Sequence, residues 1–211
     1  MVFSLNAVSG INPYTIDFDS LEWNDALIKN GITVQLAKVE GHAIKAFRAT
    51  ASYDASFYHI IHAITDMSRF TNWMHEAREA YVAERLSDNV QACYFRNNAP
   101  WPLQDRDGVI VQSASLLSDN KAQIRLNLMN ELVAEGKHHT RVNHLEGDWI
   151  IEELDNGKVQ VTYQIHLDPV GVPGWAVNLL ITDTPYHSLA KLADVDFSVY
   201  GDGKPALLQG L

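Results

Sequence analysis

Alternating apolar and polar residues fill the middle of this chain and predict a series of short strands. Apolar residues recur at every second position most clearly in 122–128 and 159–167, which is the period of a strand with one buried face. Turn residues separate the stretches at short spacing, which favours antiparallel neighbours. The predicted strands are residues 80–87, 90–97, 107–117, 122–131, 141–154 and 159–167.

Other patterns occupy the first quarter of the chain. Residues 21–30 are predicted to form a short helix, capped by Asp19 or Ser20 and stopped by Gly31. Two strands, 32–40 and 42–53, follow, and Asp54 is the expected cap of a second helix. The apolar residues of that helix recur at helical spacing: Phe57, Ile60, Ile61 and Ile64. A further helical piece is predicted at 68–74.

The last apolar run, residues 174–197, predicts a long final helix that covers the apolar face of the sheet. At 100° per residue, one side carries Trp175, Asn178, Ile181, Thr182, Pro185, Leu189, Leu192 and Ala193. Asn178 and Thr182 interrupt this apolar side. A buried polar group needs a partner, which for Asn178 is either local backbone, another side chain or a ligand head group. Pro185 either kinks the helix as a gate or begins a second helix in its first turn. The fold class is therefore α+β.

Composition limits the possible functions. The chain has 211 residues and a net charge of −10, which argues against nucleic-acid binding because that rewards clustered Lys and Arg. The single cysteine, Cys93, excludes an intrachain disulfide. No catalytic or phosphate-binding motif and no diagnostic metal spacing occurs, so we expect no cofactor and no metal.

The domain organisation is predicted as a single domain, residues 19–197, with an N-terminal extension, 1–18, and a C-terminal tail, 198–211. Within the extension, Ala7-Val8-Ser9 has the small-x-small form of a signal-peptide cleavage site, although no basic start precedes it. The location is therefore cytoplasmic as the sequence stands, or periplasmic if the N-terminus is a trimmed signal peptide.

Several short motifs together resemble those of the START domains, the lipid-transfer modules related to the steroidogenic acute regulatory protein, and most closely their bacterial members. The resemblance spans roughly residues 21–193. The motifs, in order, are Ala46-Phe47-Arg48-Ala49, Pro100-Trp101-Pro102 with Asp105-Arg106-Asp107, Gly147-Asp148-Trp149, Val161-Thr162-Tyr163-Gln164 with Asp168-Pro169, and Val172-Pro173-Gly174-Trp175 with Asn178.

This resemblance implies a helix-grip fold, in which a curved antiparallel sheet wraps around a long C-terminal helix and leaves an internal hydrophobic tunnel. It implies a monomer that binds one lipid or other apolar molecule without covalent chemistry and makes transient contact with membranes. Gln112 lies on the strand face where some sterol-binding members have a second arginine, so a neutral polar spot is expected. The predicted ligand-binding residues are Tyr94, Arg106, Ile110, Gln112, Leu126, Leu128, Tyr163, Asn178, Ile181, Thr182, Pro185 and Leu189.

The same architecture also occurs in enzymes such as polyketide cyclases, and fold alone does not choose between the two classes. The alternative function is therefore a cyclase or hydrolase that uses Tyr94, Arg106 or His166 as an acid or base.

Overall fold

The computed structural model describes residues 15–211, in which ten strands form one sheet with helices packed against it. The strands are β1 Asn24–Lys29, β2 Ile32–Ala37, β3 Ala46–Tyr53, β4 Ala77–Ser87, β5 Val90–Asn97, β6 Asp105–Ser118, β7 Lys121–Leu128, β8 His139–Arg141, β9 His144–Glu153 and β10 Val159–Asp168. The helices are α1 Phe57–Thr65, α2 Phe70–Trp73, α3 Gly174–Leu180 and α4 Asp183–Leu192. The possible cleavage site at Ala7-Val8-Ser9 lies outside the described residues.

The strand order is β1-β2-β3-β10-β9-β7-β6-β5-β4, and every neighbouring pair in this order is antiparallel. The pairing of β3 with β10 joins the first strands of the chain to the last one. β8 is outside this order and pairs in parallel with the start of β6. The sheet is curved and open, with the C-terminal helices against it, which confirms the predicted α+β, helix-grip class.

The prediction of a helix at residues 21–30 is wrong, because this segment contains strand β1. Asn30 and Gly31 have φ angles of 51° and 76°, and Lys29 pairs with Ile32, so the two residues form a tight hairpin turn. Asn-Gly is the favoured sequence for such a turn, since both residues tolerate positive φ. Gly31 therefore follows the end of a strand rather than the end of a helix.

Two boundaries differ from the predictions for physical reasons. The cap of α1 is Ser56 rather than Asp54, because the Ser56 hydroxyl accepts a hydrogen bond from the N–H of His59 at 3.2 Å. The predicted strand 141–154 is divided into β8 and β9, because the first part pairs with β6 and the second with β7 and β10. The predicted inner face of α1 is buried: Phe57, Ile60, Ile61 and Ile64.

The predicted final helix, 174–197, is two helices, α3 and α4, which meet at Ile181 and Thr182. Pro185 lies in the first turn of α4, where a backbone N–H has no acceptor within the helix, so the proline costs no hydrogen bond. The N–H of Tyr186 bonds to the Thr182 carbonyl at 3.2 Å and closes this turn. Pro185 therefore does not kink one long helix but lies in the first turn of a second helix, which is one of the two predicted possibilities.

The main core lies between the sheet and the helices. α1 contacts β9, while α4 contacts β2 and β3. The C-terminal segment, residues 195–211, then crosses α1, where Phe197 stacks on His59 and Tyr200 stacks on His62. Its last residues return to the core, because Leu207 and Leu208 are fully buried there. Between residues 15 and 211, no helix has the length and apolar character needed to cross a bilayer.

Candidate functional site

A pair of glutamines forms a polar spot in the apolar core under the helices. Gln91 on β5 lies directly opposite Gln112 on β6, and both side chains are buried. The Gln91 amide donates to Gln112 Oε1 at 2.7 Å and to the Thr65 carbonyl at 3.0 Å. In contrast, Gln112 Nε2 has only long contacts, 3.5 Å to the Ile64 carbonyl and 3.8 Å to Met67 Sδ. The Gln112 amide therefore retains capacity to donate to a better-placed acceptor.

Cys93 lies beside this polar spot and is expected to be unreactive. Its thiol is 3.8 Å from Gln112 Oε1 and is completely buried. Burial raises the pKa of the Cys93 thiol to about 12, because the thiolate would lose its hydration. The thiol is therefore protonated at neutral pH and is not poised as a nucleophile.

Arg106 holds two loops together at one end of the sheet. Its guanidinium donates to the Pro169 carbonyl at 2.8 Å, to the Val170 carbonyl at 2.9 Å and to the Gln104 carbonyl. The side chain is mostly buried, and this burial lowers the pKa of Arg106. Backbone carbonyls, and not the neighbouring Asp107, are therefore its partners. The arginine joins the β5–β6 connection to the segment that leads into α3.

Tyr94 is separated from the other predicted ligand residues. It belongs to a smaller apolar cluster with Val109 and Val111, whereas its neighbours on β5, Cys93 and Phe95, belong to the main core. Since successive strand residues point to opposite faces, Tyr94 faces away from the helices. Its hydroxyl lies 3.3 Å from an Asp107 carboxylate oxygen, and burial together with that carboxylate raises the pKa of Tyr94 to about 12.

The remaining predicted residues gather near the core or at its rim. Tyr163 is buried, stacks on Trp149 with ring centroids 3.8 Å apart, and meets Phe47 edge to face. Pro185 is buried in the first turn of α4, and Thr182 precedes it in the half-buried joint between the helices. Four apolar positions form the core or pack against it, as their alternation or helical spacing predicts: Ile110, Leu126, Leu128 and Leu189. Ile181 also packs against the core.

Asn178 has local backbone partners. Its side-chain oxygen accepts from the N–H of Lys45 at 2.9 Å, and its amide donates to the Ala43 carbonyl at 3.0 Å. Asn178 therefore bonds to protein backbone, as one of the interpretations of this residue predicts. These bonds attach α3 to the β2–β3 connection. The apolar space between sheet and helices is packed with side chains, and an open tunnel is not seen among residues 15–211.

A histidine cluster lies at the end of the β9–β10 pair that leads into the Arg106 contacts at Pro169 and Val170, and sequence reasoning did not identify it as a group. His166 Nδ1 is 2.8 Å from His144 Nε2, and the His42 ring meets His166 edge to face. His166 Nε2 lies 3.2 Å from the Ile44 carbonyl, which only a protonated nitrogen can bond. This assigns the proton of neutral His166 to Nε2 and makes His144 the donor to Nδ1. In residues 15–211 no group of three or more potential ligands is arranged to hold a metal ion.

This cluster predicts a loss of stability in acid. Burial, followed by the nearby His144, lowers the pKa of His166 to about 4, whereas an unfolded histidine titrates near pH 6.5. The unfolded chain therefore binds a proton first as the pH falls, which favours unfolding. Between pH 6.5 and about 5 the contribution of His166 to the free energy of unfolding falls by about 2 kcal/mol.

Urea denaturation at several pH values measures this effect. His166→Gln, whose amide can still donate to the Ile44 carbonyl, is expected to reduce the pH dependence of the free energy of unfolding in this range. An unchanged slope in the variant would show that His166 is not the responsible group.

The open curved sheet with α1 and α4 packed on its apolar face defines this molecule as a helix-grip protein. A family model described as START domain matches residues 20–185, and the chain belongs to this family. An uncharacterized protein of Pseudomonas aeruginosa is 27% identical over 172 residues, which cover 81% of this chain and 85% of that protein.

Two further comparisons agree with this assignment. A crystal structure of a STAR-related lipid transfer protein from Xanthomonas axonopodis is similar with a TM-score of 0.76 and 28% identity, covering 82% of this chain and 97% of that one. START domain-containing protein 10 of Mus musculus is 24% identical over 162 residues, which are 74% of this chain but only 55% of the mouse protein.

Proposed function

We propose that this protein binds a single lipid or other apolar molecule between its sheet and its C-terminal helices and performs no covalent chemistry on it. The observation that carries the proposal is the neutral Gln91–Gln112 pair inside an otherwise apolar core. Such a core suits the apolar body of a ligand, and the under-used amide of Gln112 suits one acceptor oxygen on it. The similarity to a protein named for lipid transfer supports the same class of ligand.

Ligand entry requires the helices to move, because the side chains of α4 fill the space above the sheet. Leu189 and Leu192 have no exposed surface and pack into the main core. The joint at Ile181 and Thr182 divides the C-terminal helical segment into two short rods, so α4 can move without bending a continuous helix. We therefore propose that the displacement of α4 opens the binding space.

The candidate acids and bases are engaged in structural contacts, which supports binding over catalysis. Arg106 is bonded to three backbone carbonyls, Tyr94 faces Asp107 on the far side of the sheet, and neutral His166 bonds to Ile44 and His144. A cyclase or hydrolase would need at least one of these groups at the ligand. Turnover of a polyketide or ester substrate that is abolished by Arg106→Ala in a folded variant would favour the alternative.

Native mass spectrometry tests the proposal directly. The purified protein is expected to carry a single additional mass, and lipid extraction is expected to identify one apolar molecule per chain. The absence of any copurified lipid, together with no binding to a panel of lipids and sterols, would falsify the proposal.

Variants of the glutamine pair test where the ligand lies. Gln112→Leu is expected to shift the bound ligand towards less polar molecules, because the core then has one amide fewer. The double variant Gln91→Leu/Gln112→Leu is expected to be more stable than the sum of the single changes suggests, since it removes both partners of a buried hydrogen bond. Gln160→Leu, on β10 and away from the core, is the matched control. An identical ligand profile for all variants would remove the pair from the site.

A further inference from the structure

The C-terminal segment, residues 195–211, begins shortly after α4, crosses α1 and reaches the turn between β4 and β5. Its first 3₁₀ turn, Phe197–Val199, contacts α1, and a later one, Ala206–Leu208, packs against β6. Further along, Gly210 lies beside Asp88, and a Cβ added to this glycine would be 3.0 Å from the Asp88 Cβ. The segment therefore connects the end of α4 to the edge of the sheet at β4.

Two leucines of this segment, Leu207 and Leu208, are part of the main core. Their exposed fractions are 1% and 0%, and they belong to the same apolar cluster as Leu189 of α4. The turn that carries them packs against β6, which is also the strand of Gln112. The leucine pair therefore fills apolar space beside the strand that carries the proposed polar contact for the ligand.

The polar contacts between the C-terminal segment and α1 lie at the surface. His62 Nε2 donates to the Gly203 carbonyl at 3.0 Å. His59 Nε2 lies 3.2 Å from an Asp202 carboxylate oxygen, and the Asp202 side chain is fully exposed. Contacts of this kind compete with water and contribute little to stability. Burial of the two leucines is therefore the main attachment of residues 201–211.

α4 is attached differently, through hydrogen bonds in the interior. The buried Tyr53 hydroxyl donates to the Leu189 carbonyl at 2.8 Å, and the fully buried Ser188 hydroxyl accepts from the N–H of His75 at 3.0 Å. Displacement of α4 leaves these interior groups without partners, which is costly. Displacement of the C-terminal segment breaks surface contacts and removes two apolar side chains, which an apolar ligand replaces.

We infer that Leu207 and Leu208 occupy part of the space that an apolar ligand takes, and that they leave the core when the ligand enters. The pair is thus an internal competitor, and the C-terminal segment sets the apparent affinity for the ligand. Because the segment is continuous with α4, its departure also releases the end of this helix. The inference rests on the proposed function and names the part of the chain that regulates it.

A disulfide that fixes the C-terminal segment in place tests this exchange. Asp88→Cys/Gly210→Cys is the suitable variant, because both positions are exposed and an added Cβ at 210 lies close to the Asp88 Cβ. A disulfide joins Cβ atoms about 3.8 Å apart, so a small shift of the exposed turns suffices. The native cysteine, Cys93, is fully buried and does not compete for this bond.

The probe is N-phenyl-1-naphthylamine, an uncharged apolar dye whose fluorescence reports binding. The oxidised variant is expected to bind the dye about tenfold or more weakly than the same protein after reduction, because the leucine pair cannot leave the core. Reduction is expected to restore wild-type affinity. The single variants Asp88→Cys and Gly210→Cys are the controls, and oxidising conditions are expected to leave their affinity unchanged.

Removal of the leucine pair is expected to have the opposite effect. Leu207→Ser/Leu208→Ser in the full chain is expected to bind one dye per chain about tenfold or more tightly than wild type, because the competing side chains are lost. Leu211→Ser is the matched control, since Leu211 belongs to the same segment but is 40% exposed, and it is expected to bind as wild type does. If the serine variant does not fold, the reversible disulfide still decides.

Equal dye affinity of the oxidised and reduced disulfide variant would overturn the inference. The proposed function would stand in that case, because both forms would still bind an apolar molecule. Failure of the proposed function looks different. No form of the protein, the reduced variant and the wild type included, would then bind the dye or any member of the lipid panel, and the inference would fail with it.

Discussion

Gly147→Ala is expected to destabilise the protein by about 3 kcal/mol or more, and to prevent accumulation of folded protein at physiological temperature. A Cβ on Gly147 would lie 2.1 Å from the Gln164 carbonyl oxygen and 2.9 Å from the Ile165 Cα. Both are backbone atoms of β10, so the clash can be relieved only by separating two central strands. Close approach of β9 and β10 is thus the physical reason for glycine in the Gly147-Asp148-Trp149 motif.

Thermal and urea denaturation measure this effect, and two other glycines provide the comparison. Gly201→Ala is expected to change the free energy of unfolding by less than about 0.5 kcal/mol, because nothing lies within 4 Å of the added Cβ. Gly108→Ala is expected to be intermediate, because its nearest atoms belong to the side chains of Phe95 and Val142, which can shift. Equal stability of all three variants would contradict the steric explanation.

Asp107→Ala is expected to cost about 3–5 kcal/mol, because it removes one partner of a buried ion pair. Asp107 is fully buried and accepts from Arg141 Nε at 3.0 Å and from Arg141 Nη2 at 2.9 Å. The same arginine also donates to the carbonyls of Asn130 and Val133, so the connection after β7 is expected to loosen as well. Faster hydrogen exchange in that connection would report the local effect.

An exposed ion pair is the control for this prediction. Lys158 and Asp54 are 3.2 Å apart, and the Asp54 side chain is 83% exposed, so Asp54→Ala is expected to cost at most about 1 kcal/mol. The double variant Asp107→Leu/Arg141→Met is expected to recover part of the loss, since it leaves no unpaired buried charge. If Asp107→Ala is no more destabilising than Asp54→Ala, the buried pair is not a major contributor to stability.

Local patterns predicted most of the sheet and the inner face of α1. The predicted strand 90–97 has the same bounds as β5, and the helical spacing of Phe57, Ile60, Ile61 and Ile64 gives the buried side of α1. The wrong helix prediction at 21–30 also has a local cause. The Asn30-Gly31 pair is a hairpin signal, whereas the prediction treats Gly31 as the end of a helix. In so short a segment, the spacing of apolar residues does not distinguish a helix from a strand, and only the turn sequence does.

The polar parts of the site depend on pairings between distant positions. The sequence predicts Gln112 as a polar spot but not its partner Gln91. The two glutamines lie opposite each other because of the register between β5 and β6, which the sequence pattern does not contain. Asp107 was noted beside Arg106, yet its partner is Arg141, 34 residues away. A partner across a sheet follows from strand order, which short-range patterns do not contain. The sequence also allows either a single kinked helix or two helices at 174–197, and only the packing of this segment distinguishes these two possibilities.

The C-terminal segment also changes how fragments of this protein should be prepared. The family match ends at residue 185, but Leu189, Leu207 and Leu208 belong to the main core, and the Leu189 carbonyl is the acceptor for the buried Tyr53 hydroxyl at 2.8 Å. A recombinant fragment cut at the family boundary would therefore lose most of α4 and expose the core side chains that α4 covers. The unit that folds extends beyond the unit that is recognisable by sequence, and ligand studies require the longer one.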